Sequence, residues 1–241
     1  MNPRFAKSAA ACLAACALGG SLSGCADGIV PEMRTLNPWV RKQWAEDEKF
    51  GPTFHRKVAD LEALRSSARS LSPEDRERIA QELAGRLKDE QSSAMRIELV
   101  RALGDVPSPA AQAALAAALT DENAQVRMVA CTSLGEHQTG DAMQALGSAV
   151  AHDADLDVRI AAARELGRFR DPAAAQALRV ALDENDAALQ GVAMQSLRGI
   201  TGRQEYAGSV AAWREYLDGG NPAPPPRPSL AETIQKYWYW Y

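Results

Sequence analysis

Apolar residues between positions 72 and 217 recur with a period of 31 or 32 residues. The units are marked by four leucines: Leu103, Leu134, Leu166 and Leu197. Around each leucine, the positions three and four residues before it and three residues after it are largely apolar, which is the spacing of one helix face. Each unit also contains an earlier apolar pair four residues apart, such as Leu115 and Leu119. The pattern predicts a helix, a short turn and a second helix in every unit.

Charged residues recur in register with these leucines. An acid stands thirteen residues before each leucine, and a long hydrogen-bond donor follows it six residues later: Glu90 and Arg96, Asp121 and Arg127, Asp153 and Arg159, Glu184 and Gln190. The acid falls in a predicted turn, where it is expected to cap the following helix through backbone N–H groups. The donor lies one turn into that helix. The acid and the donor of consecutive units are therefore expected to pair and to lock the stacking.

The ends of the units complete the pattern. Glycine follows three of the leucines, as Gly104, Gly135 and Gly167. A cap residue precedes proline at helix starts such as Ser108-Pro109. The ladder of acids and arginines and the Leu-Gly ending resemble HEAT-repeat arrays of the short, HEAT-like bacterial type. The resemblance covers residues 72–217 and implies an all-α fold, a right-handed α-solenoid of stacked helix pairs whose second helices line a concave face. Gln190 and Arg198 depart from the pattern in the last unit, as expected of a terminal repeat.

Residues 1–24 have the pattern of an export signal. Arg4 and Lys7 precede an apolar stretch, residues 8–20, that is too short for a stable membrane span. The signal leads into a tetrapeptide that resembles the bacterial lipobox: Leu22, Ser23, Gly24 and Cys25. The resemblance implies diacylation of the Cys25 thiol, cleavage before Cys25 and acylation of the new amine. An ordinary cleaved signal with an incidental cysteine is the alternative interpretation.

The lipobox resemblance also predicts a location. Several acyl chains anchor a protein stably, whereas one chain gives marginal membrane binding. Ala26 rather than aspartate follows Cys25, and by resemblance to sorting in enteric bacteria this favours the outer membrane, facing the periplasm. Cys12 and Cys16 would leave with the signal. Cys131 would then be the remaining free thiol, so neither an intramolecular disulfide nor a cysteine-rich metal site is expected.

The segments that flank the repeats have different compositions. Residues 25–53 are predicted to be a tether with a short helix after Asn37-Pro38, and residues 54–218 the repeat domain, whose first helix caps the N-terminal end. Residues 219–229 are a Pro/Gly-rich linker. Residues 230–241 are an aromatic tail that ends in Tyr237, Trp238, Tyr239, Trp240 and Tyr241. These aromatic side chains either fold back onto the solenoid or bind a partner groove, a glycan face or lipid headgroups.

The sequence does not predict catalytic chemistry. His137 occupies an apolar repeat position and Cys131 a packed helix–helix position, so both are expected to be structural. No Cys/His spacing matches a zinc site, and no glycine-rich phosphate loop occurs. Neither a metal nor a cofactor is therefore expected, apart from the covalent lipid on Cys25. The net charge of −4 over 241 residues provides no global basic field, which disfavours nucleic acid as a partner.

The sequence therefore predicts a non-enzymatic scaffold that is anchored in a membrane by its lipid and presents a concave face to a protein partner in the cell envelope. The contacts are expected from second-helix residues that are predicted to be exposed: Glu98, Arg101, Thr132, Arg164 and Gln195. One alternative is an envelope tether that binds cell-wall peptidoglycan through the aromatic tail. Another is an enzyme similar to the HEAT-like lyases that attach bilins, which act in the cytosol and so conflict with the lipobox.

Overall fold

The computed structural model describes residues 38–206 and 208–223, which form helices and connecting turns without any strand. Two compact units are present. In the first, which ends at Thr53, helix α1 spans Pro38–Asp47 and leads into a short 3-10 helix, Glu48–Phe50. Helix α1 lies within the segment that the sequence predicts to be a tether. None of the described helices is long and apolar enough to cross a membrane.

The second unit begins at Phe54 and consists of stacked helix pairs. Its helices are α2 (Phe54–Ser67), α3 (Pro73–Asp89), α4 (Ser93–Asp105), α5 (Pro109–Ala118), α6 (Ala124–His137), α7 (Gly140–His152), α8 (Leu156–Leu166), α9 (Pro172–Ala177), α10 (Arg179–Asp183), α11 (Ala187–Thr201) and α12 (Val210–Leu217). The first helices of the pairs are α3, α5, α7 and the α9–α10 segment, and the second helices are α4, α6, α8 and α11. Each second helix packs on the next, and α2 packs on α4 at the N-terminal end of this layer. The described chain is an all-α solenoid, as the sequence predicts.

Local sequence determines where the first helices begin. The side chains of Ser72, Ser108 and Asp171 each accept a hydrogen bond from a backbone N–H in the first turn, and proline stands at the start of all three helices. Proline fits this position because it lacks an N–H group and its φ angle is already helical. Short-range chemistry therefore determines where these helices begin, and at the Ser108 turn a long-range contact adds to it, since Glu77 of α3 accepts from the N–H of Ala110 at 3.1 Å.

The core lies between the two layers of helices. The four marker leucines are fully buried, and so are Leu115, Leu146 and Leu182 from the first helices. Each fully buried leucine stabilises the fold by about 1.5–3 kcal/mol relative to an exposed one. One pair alone cannot bury these side chains on both sides, so the stability of each repeat depends on its neighbours.

The Leu-Gly ending allows successive second helices to approach closely. Added Cβ atoms at Gly104, Gly135 and Gly167 would each lie 2.8 Å from a Cβ atom of the next second helix, in Ser133, Glu165 and Ser196. Two carbon atoms pack favourably only at about 3.5–4.0 Å, so a side chain at any of these glycines would push the helices apart. In α11 the equivalent residue is Arg198, and no further second helix follows among the described residues.

An aromatic cluster holds α12 against the loop that precedes it. Tyr206 packs edge-on against Trp213, with 5.3 Å between the ring centroids, and Tyr216 lies 5.9 Å from Trp213. The guanidinium group of Arg203 lies 4.7 Å from the ring centroid of Tyr216, within the range of a cation–π contact. The last described helix is thus fixed by this small core of large side chains and by polar contacts with α9 and α10.

Gly104→Ala is expected to destabilise the fold by about 1–3 kcal/mol, because the new methyl group would overlap Ser133 in the next second helix. Gly191→Ala is the matched control, since Gly191 also lies inside a second helix but has open space around an added Cβ atom. That variant should gain up to about 1 kcal/mol through helix propensity. Chemical denaturation measures both changes, and equal stability of the two variants would show that the close approach is not required.

Candidate interaction surface

The ladder residues form ion pairs between successive repeats. Arg96 in α4 donates from Nε and Nη2 to the two carboxylate oxygens of Asp121, at 2.8 and 2.9 Å. Arg127 in α6 binds Asp153 in the same bidentate way, with 2.8 Å for both contacts. Two parallel hydrogen bonds fix both the distance and the orientation of the groups they join. Each pair therefore determines how one repeat lies on the next.

Each of these arginines also contacts the turn of its own repeat. Nη1 of Arg96 donates to the carbonyl oxygen of Gln91 at 3.0 Å, and Nη1 of Arg127 donates to the carbonyl oxygen of Asp121 at 2.8 Å. Asp121 in turn accepts a hydrogen bond from the backbone N–H of Asn123 at 2.9 Å. One guanidinium group thus bridges two successive turns, and each carboxylate is held from two sides.

The prediction that the ladder acids cap the second helices is wrong, because the capping residues lie two positions later. The N-caps of the second helices are the residues that follow the acids: Ser92, Asn123, Asp155 and Asp186. An acid of the ladder accepts instead from the N–H of the N-cap residue, as Asp153 does from Asp155 at 2.9 Å. The acid orders the turn, and the residue two positions later starts the helix.

In the last repeat, the ladder acid pairs with the preceding repeat as before, but the donor position holds a neutral residue. Arg159 in α8 donates to the carboxylate of Glu184 at 2.5 Å. Gln190 occupies the next donor position, and it donates to the backbone carbonyl of Glu184 at 2.5 Å, which is the contact to its own turn. Because no second helix follows α11 among the described residues, Gln190 has no acid of a following repeat to reach, and a neutral amide is sufficient.

The pairs shift the pKa values of both partners. Burial raises the pKa of the Asp121 and Asp153 carboxyls, but hydrogen bonds from the arginines and from backbone N–H groups outweigh it, so both pKa values lie below the ordinary range. The same pairs raise the pKa of Arg96 and Arg127. A carboxyl whose folded-state pKa is lowered stabilises the fold above its unfolded pKa of about 4. This contribution is lost as the pH falls from there through the folded-state pKa.

Asp121→Asn is expected to destabilise the fold by about 2 kcal/mol, because it weakens two charged hydrogen bonds from the buried Arg96. Glu122→Gln is the matched control, since Glu122 also contacts Arg96, at 3.1 Å, but its side chain is 86% exposed and exposed pairs contribute little. Denaturant unfolding at neutral and acid pH measures the difference, which should shrink as the wild-type carboxyl becomes protonated. Equal losses in the two variants would contradict a structural role for the buried pair.

The solvent-facing side of the second helices carries the residues predicted to bind a partner. Arg101, Thr132, Arg164 and Gln195 are exposed, one in each repeat and each two residues before a marker leucine. The prediction that Glu98 is exposed is wrong, because only 18% of its side chain is accessible and it accepts a hydrogen bond from Arg101 at 2.5 Å. This pair neutralises much of the charge at the α4 end of the row.

A shallow groove crosses α2, α4 and α6 on the same side. Its lining includes Arg65, Arg101, Asp105, Val129, Thr132 and Glu136. Nε of Arg65 donates to the carboxylate of Asp105 at 2.5 Å, which ties α2 to α4. The charges at this N-terminal end of the surface are therefore largely paired with one another.

A buried glutamate interrupts the small residues between the second helices. Glu165 in α8 is 8% exposed and stands directly before a marker leucine, where the other repeats have Ala102, Ser133 and Ser196. Its carboxylate accepts from Nη1 of Arg168 at 3.1 Å. Burial raises the pKa of Glu165, and the hydrogen bond from Arg168 opposes this rise. Sequence reasoning missed Glu165, although a comparison of the residues before the four leucines would have identified it.

Glu165→Ser, which introduces the residue of two other repeats, is expected to stabilise the protein at neutral pH. Because the folded-state pKa of Glu165 is raised, its contribution to the free energy of unfolding depends on pH. The contribution is fully present below the unfolded pKa of about 4.3 and is lost as the pH rises through the folded-state pKa. The variant should lack this pH dependence. Thermal unfolding from mildly acid to neutral pH measures it, and a variant less stable than wild type at neutral pH would indicate that the pair with Arg168 outweighs burial.

Among the described residues, Cys131 and His137 are engaged in the fold. Cys131 is buried, and burial raises the pKa of its thiol to about 12, so the reactive thiolate does not form at neutral pH. Nε2 of His137 lies 3.0 Å from the carbonyl oxygen of Gly104, to which it donates a hydrogen bond. His152 is exposed, and its Nδ1 contacts the carbonyl oxygen of Ser148. Across residues 38–206 and 208–223, no group of three His, Cys, Asp or Glu side chains is arranged to hold a metal.

Two predicted sites lie outside the described residues. One is the lipid attachment site, Cys25, with the lipobox residues Leu22, Ser23 and Gly24. The other is the run of aromatic residues from Tyr237 to Tyr241. Both stay predictions from the sequence.

Comparisons with known proteins identify the repeats. A family model described as HEAT repeats matches residues 80–156 and, in an overlapping match, residues 113–198. A comparison with curated proteins gave no match. Eighteen chains of solved structures match. One is human deoxyhypusine hydroxylase in complex with glycerol, at 25% identity and a TM-score of 0.48, over 52% of this chain and 44% of that chain. This chain thus matches less than half the length of that enzyme.

Proposed function

We propose that this array of HEAT repeats is a non-enzymatic scaffold of a bacterial cell envelope, held at the membrane by a lipid on Cys25 and binding a protein partner on the periplasmic side. The observation that carries the proposal is the exposed row of Arg101, Thr132, Arg164 and Gln195, one residue from each second helix. The ladder pairs and the glycine contacts fix the spacing of these helices. The row is therefore a preorganised surface, which suits recognition of an extended protein segment.

The chemistry of the described side chains supports binding rather than catalysis. An enzyme of the nucleophilic type needs an activated nucleophile, and acid–base catalysis needs a group that titrates near the working pH. The buried Cys131 thiol, with its pKa raised to about 12, is not an activated nucleophile. The ladder carboxylates, such as Asp121 and Asp153, are held ionised by their arginines and contact the turns. These carboxylates are therefore not groups that titrate near the working pH.

The proposed anchor rests on the first 25 residues of the sequence. Arg4 and Lys7, the apolar stretch and the lipobox stand in the order that an exported lipoprotein requires. Several acyl chains on Cys25 would hold the protein at a membrane without a spanning helix. Residues 26–53 would then separate the anchor from the repeat array.

A second candidate function is a tether to cell-wall glycan, which is favoured by the five consecutive aromatic residues at 237–241. Aromatic rings bury a large apolar area and keep a polar edge, which suits the face of a sugar ring. Co-sedimentation with purified peptidoglycan sacculi, with and without residues 230–241, tests this function. Equal pelleting of both forms would remove the tail from the mechanism.

Cys25→Ala is expected to abolish incorporation of labelled palmitate and to block cleavage before residue 25, because the thiol is the proposed site of acylation. Cys16→Ala is the matched control, since Cys16 lies in the apolar stretch of the same signal and should leave both processes intact. Mass spectrometry of the protein from membrane fractions measures the outcome. Normal cleavage of the Cys25→Ala protein would indicate an ordinary export signal instead.

The scaffold function is tested by crosslinking in intact cells, followed by affinity purification and mass spectrometry. The full chain is compared with a chain that stops after Gly220, just beyond α12. A saturable protein partner shared by both forms would place the docking site in the repeat array. A partner found only with the full chain would move the site to residues 221–241, and the absence of a partner from both would overturn the scaffold proposal.

A further inference from the structure

The exposed rows of the second helices change in charge along the array. Two positions recur on the solvent-facing side of each repeat, two residues before and two residues after the marker leucine, one helical turn apart. The first row reads Arg101, Thr132, Arg164 and Gln195, and the second row reads Asp105, Glu136, Arg168 and Gly199. On α4 and α6 these positions hold two acids and one arginine. In the repeats of α8 and α11 they hold two arginines and no acid, with Arg168 just beyond the end of α8.

Arg164 in α8 is more available to a partner than Arg101 in α4. Arg101 in α4 is paired with Glu98. Arg164 is exposed, and its guanidinium group makes no hydrogen bond with any of the described residues. Arg168 lies two residues beyond the end of α8; its side chain is 43% exposed, and its partner Glu165 lies in the helix interface. Most of the hydrogen-bonding capacity of these two guanidinium groups therefore faces solvent.

An apolar row runs beside these arginines. The position three residues before the first row is Val129 in α6, Ala161 in α8 and Val192 in α11. Val129 and Val192 are half-buried, so part of each side chain is accessible. Because residues three and four apart lie on the same side of a helix, the apolar row and the two charged rows form one surface. That surface combines cationic groups with apolar contact area.

We propose that the surface formed by α6, α8 and α11 binds an acidic peptide segment of a protein partner, with its carboxylates on Arg164 and Arg168 and its apolar side chains on Val129 and Val192. The inference rests on the proposed scaffold function and names the chemistry of its partner. Guanidinium groups bind carboxylates through two parallel hydrogen bonds. The neighbouring, exposed Glu136 disfavours a ligand that carries a negative charge on every unit, such as a nucleic acid, and favours a peptide that has apolar residues between its acids.

Fluorescence anisotropy with labelled peptides tests the inference on the purified full chain. The probe is a fluorescein-labelled Leu-Glu-Glu-Leu-Glu-Glu peptide, and its counterpart with lysine in place of glutamate is the charge-reversed control. The protein is expected to bind the acidic probe in preference to the basic one, and more weakly as ionic strength rises, since exposed charges are screened by salt. Arg164→Glu combined with Arg168→Glu is expected to lower the affinity by about tenfold or more, because like charges then face each other.

Arg86→Glu combined with Lys88→Glu is the matched control, since both residues are exposed on α3, in the layer of first helices, and the change in net charge is the same. This control should retain wild-type affinity. Arg164→Glu alone serves if the double variant does not fold, because the exposed Arg164 side chain makes no hydrogen bond within the described residues. Unchanged affinity in the Arg164→Glu protein, or equal binding of the two probes to wild type, would overturn the inference.

Photocrosslinking in cells distinguishes this inference from the scaffold function. A photoreactive amino acid is placed at Gln195 or Thr132, in the wild-type chain and in the Arg164→Glu chain. A protein partner that is crosslinked in the wild-type background and lost with Arg164→Glu supports both. A partner that is crosslinked equally in both backgrounds overturns the acidic segment and leaves the scaffold function standing. If no protein is crosslinked from either position, both proposals fail.

Discussion

An arginine that bridges two successive turns is the interaction on which the solenoid depends. Burying an ion pair costs desolvation energy, and the cost is recovered only where the geometry is good and the remaining donors and acceptors are satisfied. Arg96 and Arg127 meet this condition, since each binds a carboxylate through two hydrogen bonds and a backbone carbonyl through a third nitrogen. The close contact of a glycine with the next helix fixes the other side of the same junction. Each repeat is thereby held at one distance and one orientation from its neighbour.

The junction between α6 and α8 differs from the other junctions in two respects. It contains the buried Glu165 where the others contain serine, and the exposed row beside it changes from Glu136 to Arg168. The N-terminal part of the surface is largely neutralised by its own pairs, such as Arg65 with Asp105. In the C-terminal part, the exposed Arg164 makes no such pair, and Arg168 pairs with the buried Glu165. A single surface on equivalent helices therefore offers a partner two different environments.

The spacing of the sequence predicts the stacked pairs and the partners of the ladder, because both depend on residues that recur at fixed separations. It does not predict which of two polar residues in a turn caps the helix, since in Asp153-Ala154-Asp155 either carboxylate can accept a backbone N–H group. Nor does it predict the partial burial of Glu98, because a charged residue is expected to face solvent unless a nearby arginine, here Arg101, allows it to be covered. Glu165 shows the same limit, because burial of a carboxylate depends on how closely a neighbouring helix approaches.

Repeat proteins lengthen by duplication of a unit, and the junctions of this array differ in whether they would accept a copy. An extra unit placed between α6 and α7 or between α8 and α9 would find a partner for each of its own ladder residues. The arginine of the preceding repeat would bind its acid, and the acid of the following repeat would bind its arginine. A unit added after α11 would meet Gln190, which carries no charge for a following acid, and Arg198, which occupies the position that glycine must have for close packing. The number of repeats is therefore free to change in the interior of this chain and is fixed at its C-terminal end.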